Sequence, residues 1–377
     1  MSERFSLKDH LFNRSKVTLL AEQLAQVEPS FPGQDFVERV LAEFPQLELK
    51  SRIAWISQCL RDHLPCDFRE ATQIILRALP APCDPGRQDD DFGDFIYAPY
   101  GHFVASYGCT AEHLDFSLQA LHQITQRFSA EYAIRPFLNQ HRERTLATLQ
   151  KWTCDEHYHV RRLCSEGTRP RLPWAEAVRL DWLVCKPVLD ALAADPTRFV
   201  TRSVANHLND WSKSHPDEVL ATLQQWRAES RQAAAELDFM QKHALRSLVK
   251  QGQPAALRLL GYCPEAPITV SDFQVRTAVV QLGEALEFDF CLQAPKQATS
   301  VVVDYQIHFQ SRRGKLENLK TFKLKNLSLS PGQRVQLNKR HPLKVMTTRT
   351  LYNGTHRLVL LVNGQPLAQG EFELVGL

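Results

Sequence analysis

The chain has 377 residues, of which 44% are apolar and 23% charged. That usage excludes a disordered chain, and the length predicts two or three domains. No apolar run approaches the roughly 18 residues of a membrane span, and residues 1–16 mix charged with apolar side chains. Neither a membrane helix nor a signal peptide is expected, so the cytoplasm is the default compartment. Nine cysteines are scattered from Cys59 to Cys291 with no CxxC pair. They are expected to be reduced, and they offer no common zinc spacing.

A net charge of +3 conceals a division. Residues 268–377 carry 14 Lys and Arg against 8 Asp and Glu, a net of +6. The remainder carries 31 against 34, a net of −3. Within residues 311–357 there are 12 basic side chains and one acid, Glu317. A block of one sign points to an anionic partner, nucleic acid first; the plainer reading is a solvated β-domain face.

The pattern up to Cys263 is helical. Apolar residues recur at three and four in Ile53, Ile56, Leu60 and in Leu114, Leu118, Leu121, Ile124. Residues 86–93, with three consecutive aspartates, predict an exposed loop, and residues 252–267 predict a linker. The helical part repeats: LATLQKW (146–152) returns as LATLQQW (220–226), and Val160-Arg161-Arg162 is matched by Val200-Thr201-Arg202, each after an Asp. A period of roughly 35–45 with two helices per unit is that of HEAT or armadillo solenoids, whose stacked units share a concave face. Beyond Pro267 the period becomes two, with Val301, Val303, Tyr305, Ile307 and Phe309 alternating, then Leu358, Leu360 and Val362. Asn353-Gly354 and Asn363-Gly364 are hairpin signals and Pro331-Gly332 marks a turn. The expected architecture is an all-α HEAT-like repeat solenoid over residues 1–262, followed by an all-β immunoglobulin-like sandwich over 268–377.

Three segments concentrate the chemistry. Residues 158–174 read YHVRRLCSEGTRPRLPW: Arg161, Arg162, Arg169 and Arg171 surround one carboxylate, Glu166. Gly167, Pro170 and Pro173 put Glu166 near a helix C-terminus. It is either a working carboxylate beside a phosphate backbone or the ion-pair partner that orders Arg162 or Arg169. Residues 130–137 (AEYAIRPF) offer Glu131 beside Arg135, and residues 201–217 add Asn206, His207, Asn209, Asp210 and Lys213. Each segment is expected to begin the second helix of a repeat, which would set them side by side. His157-Tyr158-His159 beside Asp155 and Glu156 has no third cluster at a recognised ligand spacing, so no metal is expected. No GxGxxG or GxxxxGK phosphate loop exists.

These blocks, AEYAIRPF, VRRLCSEGTRPRLPW and TRSVANHLNDWSKSHPD with the opening SLKDHLFN (6–13), resemble the AlkC family of DNA alkylation-repair glycosylases. Members of that family are built from HEAT-like repeats, and some carry a C-terminal immunoglobulin-like domain. The resemblance implies a monofunctional DNA glycosylase that removes N-methylated bases such as 3-methyladenine and 3-methylcytosine from bent double-stranded DNA. It implies no enclosing base pocket, no cofactor and no metal. Glu131 and Glu166 are then the catalytic pair. Trp174 lies against the lesion. Arg135, Arg161, Arg162, Arg169, Arg171 and Lys213 contact DNA, and Asn206 and Asp210 position water or order the arginines. The expected partner is alkylated DNA, engaged by a monomer at the nucleoid. Two readings from other classes stand beside it: a HEAT-repeat scaffold, and a damaged-DNA-binding protein that breaks no bond.

Overall fold

The structure, a computed structural model, describes residues 6–87, 89, 91–173, 175–345 and 350–376. Helices occupy the chain from Leu7–Leu11 to Pro254–Leu259, and eight strands follow from Thr269 to Val375. By compactness there are two units. One holds the residues up to Trp211 with Trp226–His243, and the other holds Ser212–Gln225 with everything from Ala244 onward.

Helix formation in the first unit follows the apolar stripes. Ile53, Ile56 and Leu60 are buried in the helix Leu49–His63. Leu118, Leu121 and Ile124 are buried in the helix Leu114–Thr125. The repeat is real at the level of local structure. The Asp155 carboxylate accepts from the His157 amide at 2.8 Å just before the helix Tyr158–Gly167. The Asp195 carboxylate does the same for Thr197, also at 2.8 Å, before the helix Arg198–Trp211. A short acidic side chain there satisfies an amide that the first helical turn leaves without a partner. These two helices pack on each other, and Tyr158–Gly167 also contacts the helices Arg142–Trp152 and Trp182–Leu192. In the duplicated LATLQ(K/Q)W motif, Leu149, Leu223, Trp152 and Trp226 are all buried, so that repetition records packing.

The segment 130–137 departs from expectation. Glu131 lies in a turn, and the helix Arg135–Gln140 starts only after it. Residues 252–267 are not a free linker. They contain the helix Pro254–Leu259 with Ala256 and Leu257 buried, and the Cys263 carbonyl accepts from the Asn363 side chain at 2.8 Å.

The strands are β1 (Thr269–Val275), β2 (Val279–Gln281), β3 (Ala285–Gln293), β4 (Thr299–Gln310), β5 (Leu316–Leu329), β6 (Arg334–Pro342), β7 (Gly354–Val362) and β8 (Gln365–Val375). They form a three-stranded sheet, β1-β3-β6, and a five-stranded sheet, β2-β8-β7-β4-β5. All pairs are antiparallel except β2 with β8. The alternation read in the sequence is the inner face: Val301, Val303, Tyr305, Ile307 and Phe309 share one core with Leu358, Leu360, Val362 and, from the other sheet, Leu286, Phe288, Phe290 and Leu292. Tyr305 joins the two sheets, its ring edge-on to Phe288 at 5.3 Å and its hydroxyl 2.8 Å from His341 Nδ1.

Asn363-Gly364 closes the β7–β8 hairpin with positive φ at both residues, 48° and 79°. That is the geometry a two-residue hairpin loop requires. Among the described residues, Asn353-Gly354 closes no hairpin. It precedes β7, whose partners are β4 and β8, while β6 pairs with β3.

Asn363 holds more than its own turn. Its side chain accepts from the Val302 amide at 2.9 Å and donates to Cys263, and the residue is 1% exposed. Replacing it with alanine leaves the buried Val302 amide without its partner, returns the exposed Cys263 carbonyl to water, and removes the polar side chain that makes the left-handed region tolerable here. Asn363→Ala is expected to lower unfolding free energy by about 1–3 kcal/mol, read from urea midpoints. A shift below 0.5 kcal/mol would show that water replaces the amide at no cost.

Candidate active site

Arg162 is the centre of the site. It lies one turn before Glu166 on the helix Tyr158–Gly167, which brings its guanidinium towards the carboxyl at the helix end. Its Nη1 donates to Glu131 Oε2 at 2.8 Å and to Ser129 Oγ at 2.8 Å. Its Nη2 stands 3.8 Å from Glu166 Oε2. The two predicted carboxylates are therefore joined through one guanidinium fork. The Ser129 hydroxyl also donates to Glu131 Oε2, at 3.0 Å.

Glu166 is enclosed. Its side chain is 5% exposed, Ser203 Oγ donates to Oε2 at 2.6 Å, and Arg169 Nη1 donates to Oε1. Burial pushes the Glu166 carboxyl up, but Arg162, Arg169 and the Ser203 hydroxyl outweigh burial and hold it below the usual carboxylate range. Arg169 is itself clamped, since Nε and Nη2 both reach Asp210 Oδ2 at 2.9 Å. Burial lowers the Arg169 affinity for its proton, yet Glu166 and Asp210 reverse this, and the guanidinium stays charged. Glu131 differs from Glu166 in access. Its side chain is 28% exposed, and it lines two open surface cavities that Glu166 does not reach, while both line a third.

Two aromatic rings frame Arg162. Its guanidinium carbon is 4.4 Å from the Phe199 ring centre and 5.4 Å from that of Phe92. Phe92, which is 49% exposed, comes from the aspartate-rich loop 86–93. That loop is not merely solvated. Asp89 pairs with Arg202, Asp91 accepts from the Tyr158 hydroxyl at 3.2 Å, and Gly93 bridges to Phe128. Gly93 has φ +77°, and a β-carbon there would sit 1.8 Å from the Arg127 carbonyl oxygen, so only glycine permits this closure. Gly167 has an equivalent role at the other wall. A β-carbon there would meet Ile134 at 2.6 Å, so its absence lets the Glu131 segment lie against the helix.

The remaining predicted residues divide. Arg135 is fully buried and donates to the carbonyls of Glu176 (2.5 Å), Gly167 and Arg169 (both 2.9 Å). The expectation that Arg135 contacts DNA is corrected: it ties the chain after Glu166 in place. Arg161 is likewise occupied internally, by Asp195 (2.6 Å), Thr197, and the carbonyls of Asp155 and Glu156. Asp210 is paired with Arg169, and Asn206 Oδ1 is 2.8 Å from His243 Nε2. Arg171 is exposed; Lys213 is exposed and belongs to the other compact unit. Trp174 lies outside the described residues. His207 is buried, and desolvation pushes its imidazole down to about 3, so it is neutral near pH 7 and supplies no proton. Ser129, Ser203, Phe92 and Phe199 were not singled out in the sequence. Ser203 lies within the block TRSVANHLNDWSKSHPD, while Ser129, Phe92 and Phe199 lie outside the quoted blocks, with proximity to Glu131, the aspartate run and Arg202 as their only signal.

Comparison with known proteins bears directly on this geometry. The family "DNA alkylation repair enzyme" matches residues 113–248, which contain Glu131, Arg162, Glu166, Arg169 and Asp210. The family "Uncharacterised protein YhaZ, C-terminal Ig-like domain" matches residues 269–376. The chain is 32% identical over 368 residues to Uncharacterized protein YhaZ of Bacillus subtilis (strain 168), covering 97% of this chain and 98% of that one. Among solved structures, Pseudomonas fluorescens alkylpurine DNA glycosylase AlkC, bound to DNA containing an abasic site analog, superposes with a TM-score of 0.88. It is 35% identical, with 99% of this chain and 100% of that one covered.

The ion-pair network carries a pH signature. Because the folded Glu166 holds its proton less tightly than an unfolded glutamate (about 4.3), it adds stability above that pH. The contribution is lost as pH falls through the depressed folded value. Glu166→Gln is expected to cost about 2–4 kcal/mol at neutral pH, and its deficit should shrink as pH is lowered from about 5 to about 3. Urea midpoints of both proteins across that range check this; a deficit independent of pH would refute the role of charge.

Proposed function

The chain belongs to the DNA alkylation repair enzyme family as an AlkC-type DNA glycosylase, and we propose that it hydrolyses the N-glycosidic bond of N-alkylated, cationic bases such as 3-methyladenine and 3-methylcytosine. The observation that carries this reading is the Arg162 fork joining an accessible carboxylate, Glu131, to an enclosed one, Glu166.

A base alkylated on a ring nitrogen carries positive charge, and it departs with the glycosidic electron pair as a neutral molecule. Little acid assistance is needed. The demand falls on the sugar, which passes through an oxocarbenium-like state and must be met by a water oxygen at C1′. Glu131, open to the cavities, accepts the proton of that water and presents negative charge to the cationic sugar. Glu166 is saturated by Arg169, Ser203 and Arg162, so its work is to fix Arg162 and with it the direction of Glu131. Arg162 is held in plane by Phe199 and Phe92, which favours a fixed guanidinium over a mobile one. Asp210 does for Arg169 what Glu166 does for Arg162. With those arginines committed to carboxylates, the exposed Arg171 is the side chain of this segment offered to phosphates.

In this reading residues 1–262 carry the chemistry on bent duplex DNA, without a pocket that encloses the base. Residues 268–377 are a second grip on the DNA backbone. The protein acts as a monomer in the cytoplasm at the nucleoid. The edge strand β5 presents Lys320, Lys323 and Lys325 to solvent. Lysines on an edge also discourage strand-to-strand aggregation, so the two roles require a test. The triple change of these lysines to alanine is expected to reduce the salt slope of DNA binding by about 2–3 if each meets a phosphate. An unchanged slope would leave the edge-protection role alone.

The chemical proposal is tested by base release. Full-length protein is incubated with duplex DNA bearing a single 3-methylcytosine, and free bases are separated chromatographically. The wild type is expected to release the base. Glu131→Gln is expected to slow single-turnover release by roughly 10²–10³-fold while DNA affinity stays within a few-fold. Glu166→Gln is expected to slow it as well. Release undiminished by Glu131→Gln would remove that residue from the chemistry, and no release by the wild type across methylated bases would overturn the proposed substrate class.

A further inference from the structure

His157-Tyr158-His159 had no metal partner in sequence, because the groups that approach it lie some seventy residues upstream. Folding brings one ligand atom each from Cys83, Asp91 and His159 within 4.8 Å of one another. They come from three places: the stretch before the loop 86–93, the loop itself, and the first turn of the helix Tyr158–Gly167. A tetrahedral set at zinc bond lengths of 2.0–2.3 Å has ligand atoms roughly 3.4–3.8 Å apart, so closure needs only a small contraction.

Three further observations bear on the cluster. His159 is 1% exposed, and its Nδ1 has no hydrogen-bond partner among the described residues. A buried imidazole nitrogen without a partner is an uncompensated cost that a ligand would remove. The surroundings are arranged as an outer shell: the Tyr158 hydroxyl is 3.2 Å from His159 Nε2 and donates to Asp91 Oδ2 at 3.2 Å. The Gly93 amide donates to Asp91 Oδ1 at 3.2 Å, and His157 Nε2 holds the Cys83 carbonyl at 3.0 Å. Such contacts orient ligands at metal centres. The competing partners are weak. Cys83 Sγ reaches the Arg127 carbonyl only at 3.7 Å, and Arg87, 63% exposed, stands 3.6 Å from Asp91.

We propose that Cys83, Asp91 and His159 bind a borderline-soft divalent cation of the zinc class. One sulfur, one nitrogen and one oxygen suit zinc or cobalt(II) better than magnesium or calcium, and Cys83 and Asp91 line an open cavity through which a cation would reach them. The cation fastens the loop 86–93 to the helix that carries Arg162 and Glu166. Phe92, next to the ligand Asp91, is thereby held over the Arg162 guanidinium. On binding, the Cys83 thiol gives its proton to solvent and Arg87 swings away from Asp91.

The test does not depend on glycosylase activity. Full-length protein is stripped with chelator under reducing conditions and titrated with cobalt(II). One equivalent is expected to give a thiolate-to-cobalt charge-transfer band in the near ultraviolet with d–d bands of tetrahedral intensity, and one equivalent of zinc should abolish both. Cys83→Ser should remove the charge-transfer band, whereas Cys154→Ser, at an exposed cysteine, should leave it. Tyr158→Phe keeps the ring and all three ligands and is expected to weaken binding roughly 10–100-fold. The proposal is overturned if the wild type shows no stoichiometric band, or if the band survives Cys83→Ser. It is also overturned if Tyr158→Phe binds as tightly as the wild type.

Discussion

The candidate active site depends on one charge balance. Arg162 is almost wholly buried, and a buried guanidinium is tolerated only when its charge and its donors are met. Glu131 and Ser129 accept from Nη1, Glu166 opposes its charge from 3.8 Å, and Phe199 and Phe92 cover the faces. Glu166 in turn needs Arg169, and Arg169 needs Asp210. A chain of alternating charges thus runs from an open cavity to the end of the helix Arg198–Trp211, with Glu131 its exposed member. Any one of these groups left alone would be costly, and together they make a rigid acidic point at the cavity wall.

The arrangement explains why so many arginines near Glu166 do not make a simple phosphate-binding surface. Arg135 and Arg161 serve the backbone and the junction between repeats, and Arg162 and Arg169 serve carboxylates. Rigidity here has a chemical purpose under the proposed function. A carboxylate that stabilises a short-lived cationic sugar gains from being preoriented, because no reorganisation is then required during the reaction. The loop 86–93 adds to this by packing Phe92 on the guanidinium. That loop is held at Asp89, Asp91 and Gly93, and the proposed cation would strengthen the middle attachment.

The second unit rests on a different constraint, the matching of two apolar sheet faces. Tyr305 bridges them, edge-on to Phe288 and with its hydroxyl on His341, and Asn363 satisfies the backbone where the hairpin turns. Its basic residues lie on exposed positions of strands such as β5, outside this core. Charge and fold are therefore separable there, as they are not in the helical unit.

Sequence alone determined what depends on local chemistry. The apolar period of 3.6 or two sets which residues face a core, and both periods were visible, as were the Asp-initiated helices after Asp155 and Asp195, the Asn363-Gly364 hairpin and the placement of Glu166 at a helix end. The long motif blocks carried the family. What only the tertiary structure decided is which charges neutralise one another. Residue type made Arg135 and Arg171 equal candidates for DNA, yet one is fully buried under three carbonyls and the other is exposed. Asn353-Gly354 looked like Asn363-Gly364, but among the described residues sheet topology gives it no partner strand across the turn. Ser129, Ser203, Phe92 and the Cys83–Asp91–His159 cluster come together across separations of tens of residues. No local pattern encodes such meetings, because they are fixed by how helices stack and not by how each one forms.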